Sequence, residues 1–336
     1  MKILLTGGGT AGSVTPLLAI AEKLKGEDII FVGTEDGPEK EMVQRAGLKF
    51  QPFISGKFRR YISFRTPIDG LKVLIAYIKA YFFLGKIKPD VVVSAGSFVS
   101  PPFIWAAKKR KIPTLVHHQD LQITLATKLM KKNATVLTKA FKEIPLEAKW
   151  TGNPVRDLTP KTNNIKFENN KPVILITGGG LGAQKLNDLV TEDLIEFCNV
   201  LHMTGKGKQG LDTKNPDYKN AEFMPGGMIE ALSKADLVVS RGGLGTISEL
   251  SVLGKPSIVI PLAGPQEENA RFLDEKNAAI VYDQNNLTPE KFSNKIKELL
   301  NNKSKQKLIS ENIKKINKPD AAQTIATEII KLGKSL

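Results

Sequence analysis

The chain is poor in the groups from which disulfide frameworks and metal centres are built. Among 336 residues there is one cysteine, Cys198, and three histidines, His117, His118 and His202. A lone thiol forms no internal disulfide, and so few soft ligands give little from which to assemble a zinc centre. No Asp-X-Asp pair and no carboxylate cluster at cation-ligand spacing occurs, so chemistry with neither a metal nor a resident cofactor is expected. Long apolar runs are missing too. Residues 71–85, an apolar stretch, are interrupted by Lys72 and Lys79 and fall short of the ~20 residues that span a bilayer. The opening Met1-Lys2-Ile3-Leu4-Leu5-Thr6 reaches glycine too soon for a signal-peptide core, so the expectation is a cytoplasmic protein.

Acid is also in short supply, and unevenly. Lys and Arg number 49 against 34 Asp and Glu, for a net charge of +15. Residues 1–156 hold 25 basic side chains against 12 acidic, whereas residues 157–336 hold 24 against 22. The excess on the first half points to an anionic partner there: nucleic acid, a phosphorylated substrate or an anionic membrane surface. What remains is ordinary for a globular protein, with 41% apolar and 25% charged residues. That length is more than one compact core takes, and two domains of about 150 to 180 residues are expected.

Two stretches repeat one order of parts: apolar strand, glycine cluster, amphipathic helix. The first is Lys2-Ile3-Leu4-Leu5-Thr6, then Gly7-Gly8-Gly9-Thr10-Ala11-Gly12-Ser13, then a helix over residues 15–24 with Pro16 in its first turn. The second is Pro172-Val173-Ile174-Leu175-Ile176-Thr177, then Gly178-Gly179-Gly180-Leu181-Gly182, then a helix from Ala183. Further strands read at 29–33, 91–94 and 114–117 after the first, and at 200–203, 237–240 and 257–261 after the second. This βα alternation predicts two Rossmann-like α/β domains with parallel sheets. The expected division is 1–156 and 157–318, with 319–336 a closing helix.

Ligands of open parallel sheets lie beyond the carboxyl ends of the strands, and both glycine clusters fall there. Free amides and a helix dipole favour phosphate at such turns, although a tight βα turn alone would also use glycine. Neither cluster is a P-loop, and the match of the first to a dinucleotide fingerprint, with Glu35 as the acidic ribose ligand, is loose. More informative is Ala235-Asp236-Leu237-Val238-Val239-Ser240-Arg241-Gly242-Gly243-Leu244-Gly245-Thr246-Ile247-Ser248-Glu249-Leu250. A buried strand ends in a glycine turn, and a helix begins whose amides can hold a diphosphate while Glu249 accepts both hydroxyls of a ribose.

At that segment, with Gly254-Lys255-Pro256-Ser257 and Pro265-Gln266-Glu267-Glu268-Asn269-Ala270 after it, the chain resembles the MurG family within glycosyltransferase family 28. Upstream, Gly8-Gly9-Thr10-Ala11-Gly12-Ser13, Ala95-Gly96-Ser97-Phe98-Val99-Ser100, His117-His118-Gln119-Asp120 and Thr151-Gly152-Asn153-Pro154-Val155-Arg156 resemble the family's other motifs in the same order. The resemblance implies a GT-B fold, two Rossmann-like domains facing across a cleft, with the last helix crossing back to the first. It implies metal-independent, inverting transfer of N-acetylglucosamine from UDP-N-acetylglucosamine to the C4 hydroxyl of a lipid-diphosphate acceptor, lipid I to lipid II. By position, Met224 would contact uracil, and Gly180 would lie in the donor site with Leu244, Gly245, Thr246, Ile247, Ser248 and Glu249 on diphosphate and ribose. Gln266 and Asn269 would face the amino sugar, Arg156 would sit at the cleft, and Thr10, Ala11 and Gly12 would complete the donor site.

Several positions depart from the family. Ser13 stands where a histidine is usual, Asp120 where an asparagine contacts sugar, His118 where a glutamate precedes Gln119, and Phe98 where a tyrosine follows the paired glycines. The second loop, Gly178-Gly179-Gly180-Leu181-Gly182, stands in place of Gly-Gly-Ser-Gln-Gly. A serine hydroxyl is a poor base unless activated, so Asp120, His118, His117 and a water held by Ser13 all remain candidates to take the acceptor proton.

Residues 57–88 carry Lys57, Arg59, Arg60, Arg65, Lys72, Lys79, Lys86 and Lys88 against the single acid Asp69, interleaved with apolar and aromatic side chains. Such a segment can lie in an anionic membrane interface, with lysines on the headgroups; the spacing of Leu71, Leu74, Ile75 and Ile78 also fits packing into the first domain. The expected partners are therefore UDP-N-acetylglucosamine, a lipid I-like acceptor and the inner-leaflet surface of the cell membrane. Nucleic-acid binding would account for the basic half but not for two glycine-turn helices. A UDP-sugar enzyme with another acceptor, a UDP-sugar epimerase and a non-catalytic UDP-sugar binder are the other readings of these residues.

Overall fold

The computed structural model describes residues 1–53, 66–179, 182–222 and 227–334, with backbone alone over 66–70. The basic cluster Lys57, Arg59, Arg60 and Arg65 and the site candidates Gly180 and Met224 lie outside the described residues. Two compact units are formed, one of Met1–Arg156 with Lys318–Leu336 and one of Asp157–Asn317.

In the first unit the chain runs β1 (Lys2–Thr6), α1 (Thr15–Glu22), β2 (Asp28–Gly33), α2 (Glu39–Arg45), β3 (Lys49–Pro52), α3 (Thr66–Ile87), β4 (Val91–Ser94), α4 (Ser100–Lys109), β5 (Thr114–His118), α5 (Leu125–Met130), β6 (Val136–Lys139) and β7 (Lys149–Trp150). The seven strands pair in parallel in the order β3-β2-β1-β4-β5-β6-β7. Runs such as Ile3-Leu4-Leu5 and Val91-Val92-Val93 are buried throughout, as a sheet covered by helices on both faces requires. Ile3 and Leu5 pack on one face, and Leu4 packs on the other beside Phe103 and Leu84.

The second unit repeats the plan with β8 (Val173–Thr177), α6 (Gln184–Asn187), α7 (Glu192–Phe197), β9 (Asn199–Met203), β10 (Tyr218–Ala221), α8 (Gly227–Lys234), β11 (Leu237–Ser240), α9 (Leu244–Leu253), β12 (Ser257–Val259), α10 (Pro265–Glu275), β13 (Ile280–Val281), α11 (Pro289–Asn301) and α12 (Lys303–Ile313). Its parallel strands are ordered β10-β9-β8-β11-β12-β13. The last helix, α13 (Ala321–Lys334), belongs to the first unit, where Ile325, Ala326 and Ile329 join the core beneath β1 and β4.

Strand order reverses between β1 and β4 in the first sheet and between β8 and β11 in the second. Those switch points are where doubly wound sheets open a crevice for ligand, and both glycine clusters flank them. One element is much shorter than the sequence implies. The helix after the second cluster, α6, has four residues, because Asn187 turns its amide to the carbonyls of Thr204 and Gln209 and the β-branched pair Val190-Thr191 follows. A helix of one turn has little dipole to offer an anion.

Candidate functional site

The β11–α9 turn is the best-formed ligand seat of the second unit. Gly242 sits at φ 71°, and a Cβ there would come within 2.7 Å of Val259, so the turn requires glycine. The first intrahelical bond runs from the Ile247 amide to Gly243 O at 2.9 Å, which leaves the amides of Leu244, Gly245 and Thr246 without helical partners at the positive end of a ten-residue helix. Nothing lies within 4 Å of where a Cβ would stand on Gly243 or Gly245. Among the described residues their lack of side chains thus serves no packing, and it leaves the amides open to approach. Glu249 follows one turn in, half-buried.

Two residues expected to line this seat are turned inward. Ile247 is 1% exposed in the core, and the buried Ser248 hydroxyl donates to Leu244 O at 2.7 Å, so both build the helix. From α10, Gln266 accepts from the Leu262 amide at 3.0 Å, and buried Asn269 donates through Nδ2 to Gly242 O at 3.0 Å. Asn269 therefore tethers the glycine turn, a role the sequence reading missed. Also missed was Arg241: 4% exposed, it donates to Ile260 O at 3.0 Å, its Nε has no partner, and burial draws its pKa down. Beside the other glycine turn, His202 is locked in a buried chain. Tyr218 Oη donates to its Nδ1 at 2.8 Å, its Nε2 donates to Asn187 Oδ1 at 3.0 Å, and burial lowers its pKa to about 4. It is a packed strand residue, with its polar atoms satisfied.

In the first unit Thr10, Ala11 and Gly12 are exposed, just past the carboxyl end of β1. Ser13 is not available in the same way. Its buried hydroxyl lies 3.3 Å from Gly8 O and 3.2 Å from Thr10 O and accepts from the Gly8 amide at 3.3 Å, which makes it the clasp of the turn. Ser97, at φ 96°, reaches across from the β4–α4 loop and donates to Gly8 O at 2.8 Å. The Phe98 ring packs so closely on Gly9 that a Cβ there would stand 2.3 Å from it.

At the end of β5 the two histidines are buried, not open as their strand-end position implies. Thr138 Oγ1 lies 2.9 Å from His117 Nδ1, and His117 Nε2 lies 3.4 Å from Asn153 Oδ1; desolvation lowers its pKa to about 3. His118 Nδ1 pairs with Thr127 Oγ1 at 2.8 Å while its Nε2 is buried without a partner. Desolvation outweighs the nearby carbonyls of Gln122 and Asp120 and holds its pKa near 4. Both rings are neutral at pH 7 and weakly basic. Asp120 is the next candidate along and is partly exposed; Arg156, the last residue of the first segment, is exposed.

Helix α3 separates the two readings of its apolar spacing. Its buried face is Val73, Ala76, Ala80 and Leu84. Leu71, Leu74, Ile75, Ile78 and Phe82 are 40 to 68% exposed, so the spacing that fits packing into the domain belongs to an outward stripe. Lys72, Lys79 and Lys86, also exposed, recur every seven residues along one flank of it. Among the described residues, no helix is long and apolar enough to cross a membrane, and no three His, Cys, Asp or Glu side chains gather as a metal ion would need.

Two doubly wound parallel sheets, the second carrying open amides at a switch-point helix, are the plan of the GT-B fold. The N-terminal domain model of glycosyltransferase family 28 matches residues 3–138, and the C-terminal domain model matches residues 173–325. The UDP-N-acetylglucosamine–N-acetylmuramyl-(pentapeptide) pyrophosphoryl-undecaprenol N-acetylglucosamine transferase of Clostridium kluyveri is 36% identical over 89% of this chain and 91% of the relative. One of the Bacillus cereus transferases of that name is 34% identical over 98% and 99%. The crystal structure of Acinetobacter baumannii MurG superposes with a TM-score of 0.77 at 25% identity, covering 98% of this chain and 99% of that one. The chain belongs to glycosyltransferase family 28, among the MurG transferases.

Proposed function

We propose that this chain transfers N-acetylglucosamine from UDP-N-acetylglucosamine to the N-acetylmuramoyl sugar of a pyrophosphoryl-undecaprenol-linked pentapeptide acceptor. The observation that carries the reading is the β11–α9 turn, with three amides at a helix N-terminus that have no helical partner, open space among the described residues at Gly243 and Gly245, and Glu249 one turn deeper. The amides meet the diphosphate, whose charge grows as UDP departs, and Glu249 takes the ribose hydroxyls. Gln266 faces the amino sugar, and Met224 contacts uracil. Thr10, Ala11, Gly12 and Arg156 complete the substrate contacts from the first unit.

The acceptor C4 hydroxyl attacks the anomeric carbon as the bond to UDP breaks on the opposite face, so the configuration inverts. Asp120 takes the hydroxyl proton. It is partly exposed, whereas the rings of His118 and His117 are buried and the Ser13 hydroxyl clasps the glycine turn.

The outward stripe of α3 lies in the membrane interface where the lipid acceptor resides, on the cytoplasmic face. Apolar side chains sit at the acyl boundary, and Lys72, Lys79 and Lys86 lie on anionic headgroups. Incubation of the protein with UDP-N-acetylglucosamine and the lipid-linked acceptor tests the whole reading. Mass spectrometry is expected to find a lipid heavier by one N-acetylhexosamine and one UDP per product. Conversion of the donor to an epimer, or binding without turnover, would replace this reading by the epimerase or the non-catalytic binder.

A further inference from the structure

The first glycine turn differs from an open phosphate seat in one respect: a carboxyl group of the chain already fills it. Glu39, the first residue of α2, is fully buried. Both its carboxylate oxygens lie 3.1 Å from the Gly9 amide. Its Oε1 also accepts from the Thr34 amide at 2.6 Å and from the Thr34 hydroxyl at 2.5 Å. Three glycines from separate places make room for it. A Cβ at Gly8 would stand 2.1 Å from Oε1, one at Gly37 2.1 Å from Oε2, and one at Gly33 2.6 Å from the Glu39 Cγ. Glu35, the acid that the dinucleotide comparison singled out, is exposed and takes no part. Amides and a hydroxyl converging beyond β1 and β2 are the donors that a nucleotide phosphate would use in a Rossmann domain. Here the protein's own carboxylate uses them.

We propose that Glu39 is a positioning residue, an internal carboxyl group that fills the phosphate cradle of the first unit and fixes the course of Gly9 into the exposed Thr10, Ala11 and Gly12. Two consequences follow. With this turn filled, the first unit offers no second cradle for a nucleotide phosphate there, and one UDP per chain is expected. The loop also reaches its substrate already shaped, which matters because a displacement of about 1 Å at a reacting site can cost about a hundredfold in rate. The second consequence rests on the transferase reading; the filled cradle does not.

Two variants separate these claims. In Glu39→Gln one oxygen becomes an NH2 that meets the Gly9 N–H donor to donor, with side-chain volume unchanged. Its kcat is expected to fall about 10- to 100-fold while calorimetry still finds one UDP per chain with Kd within about twofold. Glu39→Gly empties the cradle. Propionate, the missing carboxylate, is expected to raise its melting temperature and restore part of kcat, whereas equal propionamide does neither, and wild type responds to neither. Thermal shift tests the cradle even if wild type transfers no sugar, which would count against the transferase reading alone. Wild-type kcat in Glu39→Gln, loss of UDP affinity in parallel with kcat, or equal rescue by propionamide would overturn the proposal. Should Glu39→Gly fail to fold, Glu39→Gln decides it.

Discussion

Among the described side chains of α3, Phe82 is the most exposed apolar one, at 68%, and replacing it with glutamate should uncouple membrane binding from folding. Full burial of a phenylalanine side chain is worth about 1.5 to 3 kcal/mol, so immersing roughly two-thirds of it contributes about 1 to 2 kcal/mol. The new carboxylate also faces anionic headgroups, at a cost of about 1 kcal/mol. Together these weaken binding by about 2 to 3 kcal/mol, or roughly 30- to 150-fold in the partition constant. Within the protein, Phe82 makes an edge contact with the Tyr81 ring at 5.8 Å, and an exposed substitution of this kind moves stability by about 0.5 kcal/mol. Co-sedimentation with phosphatidylglycerol vesicles, beside urea unfolding, reads both quantities. Unchanged sedimentation of Phe82→Glu would refute the assignment of this stripe to the interface. So would loss of binding in step with loss of fold.

Other perturbations test the donor seat and the buried histidines. Glu249→Ala should raise the Kd of UDP and UDP-N-acetylglucosamine about tenfold or more, from the loss of charge-assisted hydrogen bonds worth about 1.5 to 3 kcal/mol; GDP titration serves as the control, and unaltered UDP affinity would remove Glu249 from the site. Gly245→Ala places a methyl in open space within a helix, so unfolding should become harder by about 0.5 to 1 kcal/mol while the KM for the donor rises. A variant improved in both would show that nothing binds over that turn. His117, His118 and His202 titrate at about 3, 4 and 4 in the fold, below their ordinary 6.5. The unfolded chain therefore binds more protons below pH 6.5, so stability from these groups is intact above that pH and is lost as pH falls toward 4. Denaturant midpoints should be flat from pH 7 to 8 and drop steeply between pH 6 and 4.5, with a shallower drop in His202→Asn. For the same reason His118 should contribute no inflection near pH 6.5 to kcat.

Much of the architecture is legible in the sequence because parallel strands buried on both faces are continuous apolar runs, and glycine is obligatory at turns such as Gly242. The βα alternation gives the parallel sheets but not their strand order, and the short strands β3, β6, β7, β10 and β13 carry too few apolar residues to be read from it. The direction in which an amphipathic helix faces is not legible either. In α3 two stripes share a helical period, and the large apolar one looks like the core face. The deciding feature is the second stripe, Val73, Ala76, Ala80 and Leu84, whose small residues allow close approach to α4, against which Arg110 closes by stacking 4.0 Å over the Tyr81 ring. Long-range tethers were equally hidden. Nothing in the spacing of Glu39 from Gly9, or of Asn269 from Gly242, marks them as partners, since 30 and 27 residues separate them. Ser13 illustrates the reverse case, a motif position whose hydroxyl is used by the turn itself.

The most direct test of the account is a steady-state transfer assay in which UDP release and glycosylation of the lipid-linked acceptor are followed together, in wild type and Glu249→Ala. The account predicts one UDP per glycosylated lipid, inverted configuration at the new linkage, and a loss in Glu249→Ala expressed mainly through the donor KM. UDP release without a glycosylated lipid, or donor KM untouched in that variant, would contradict it.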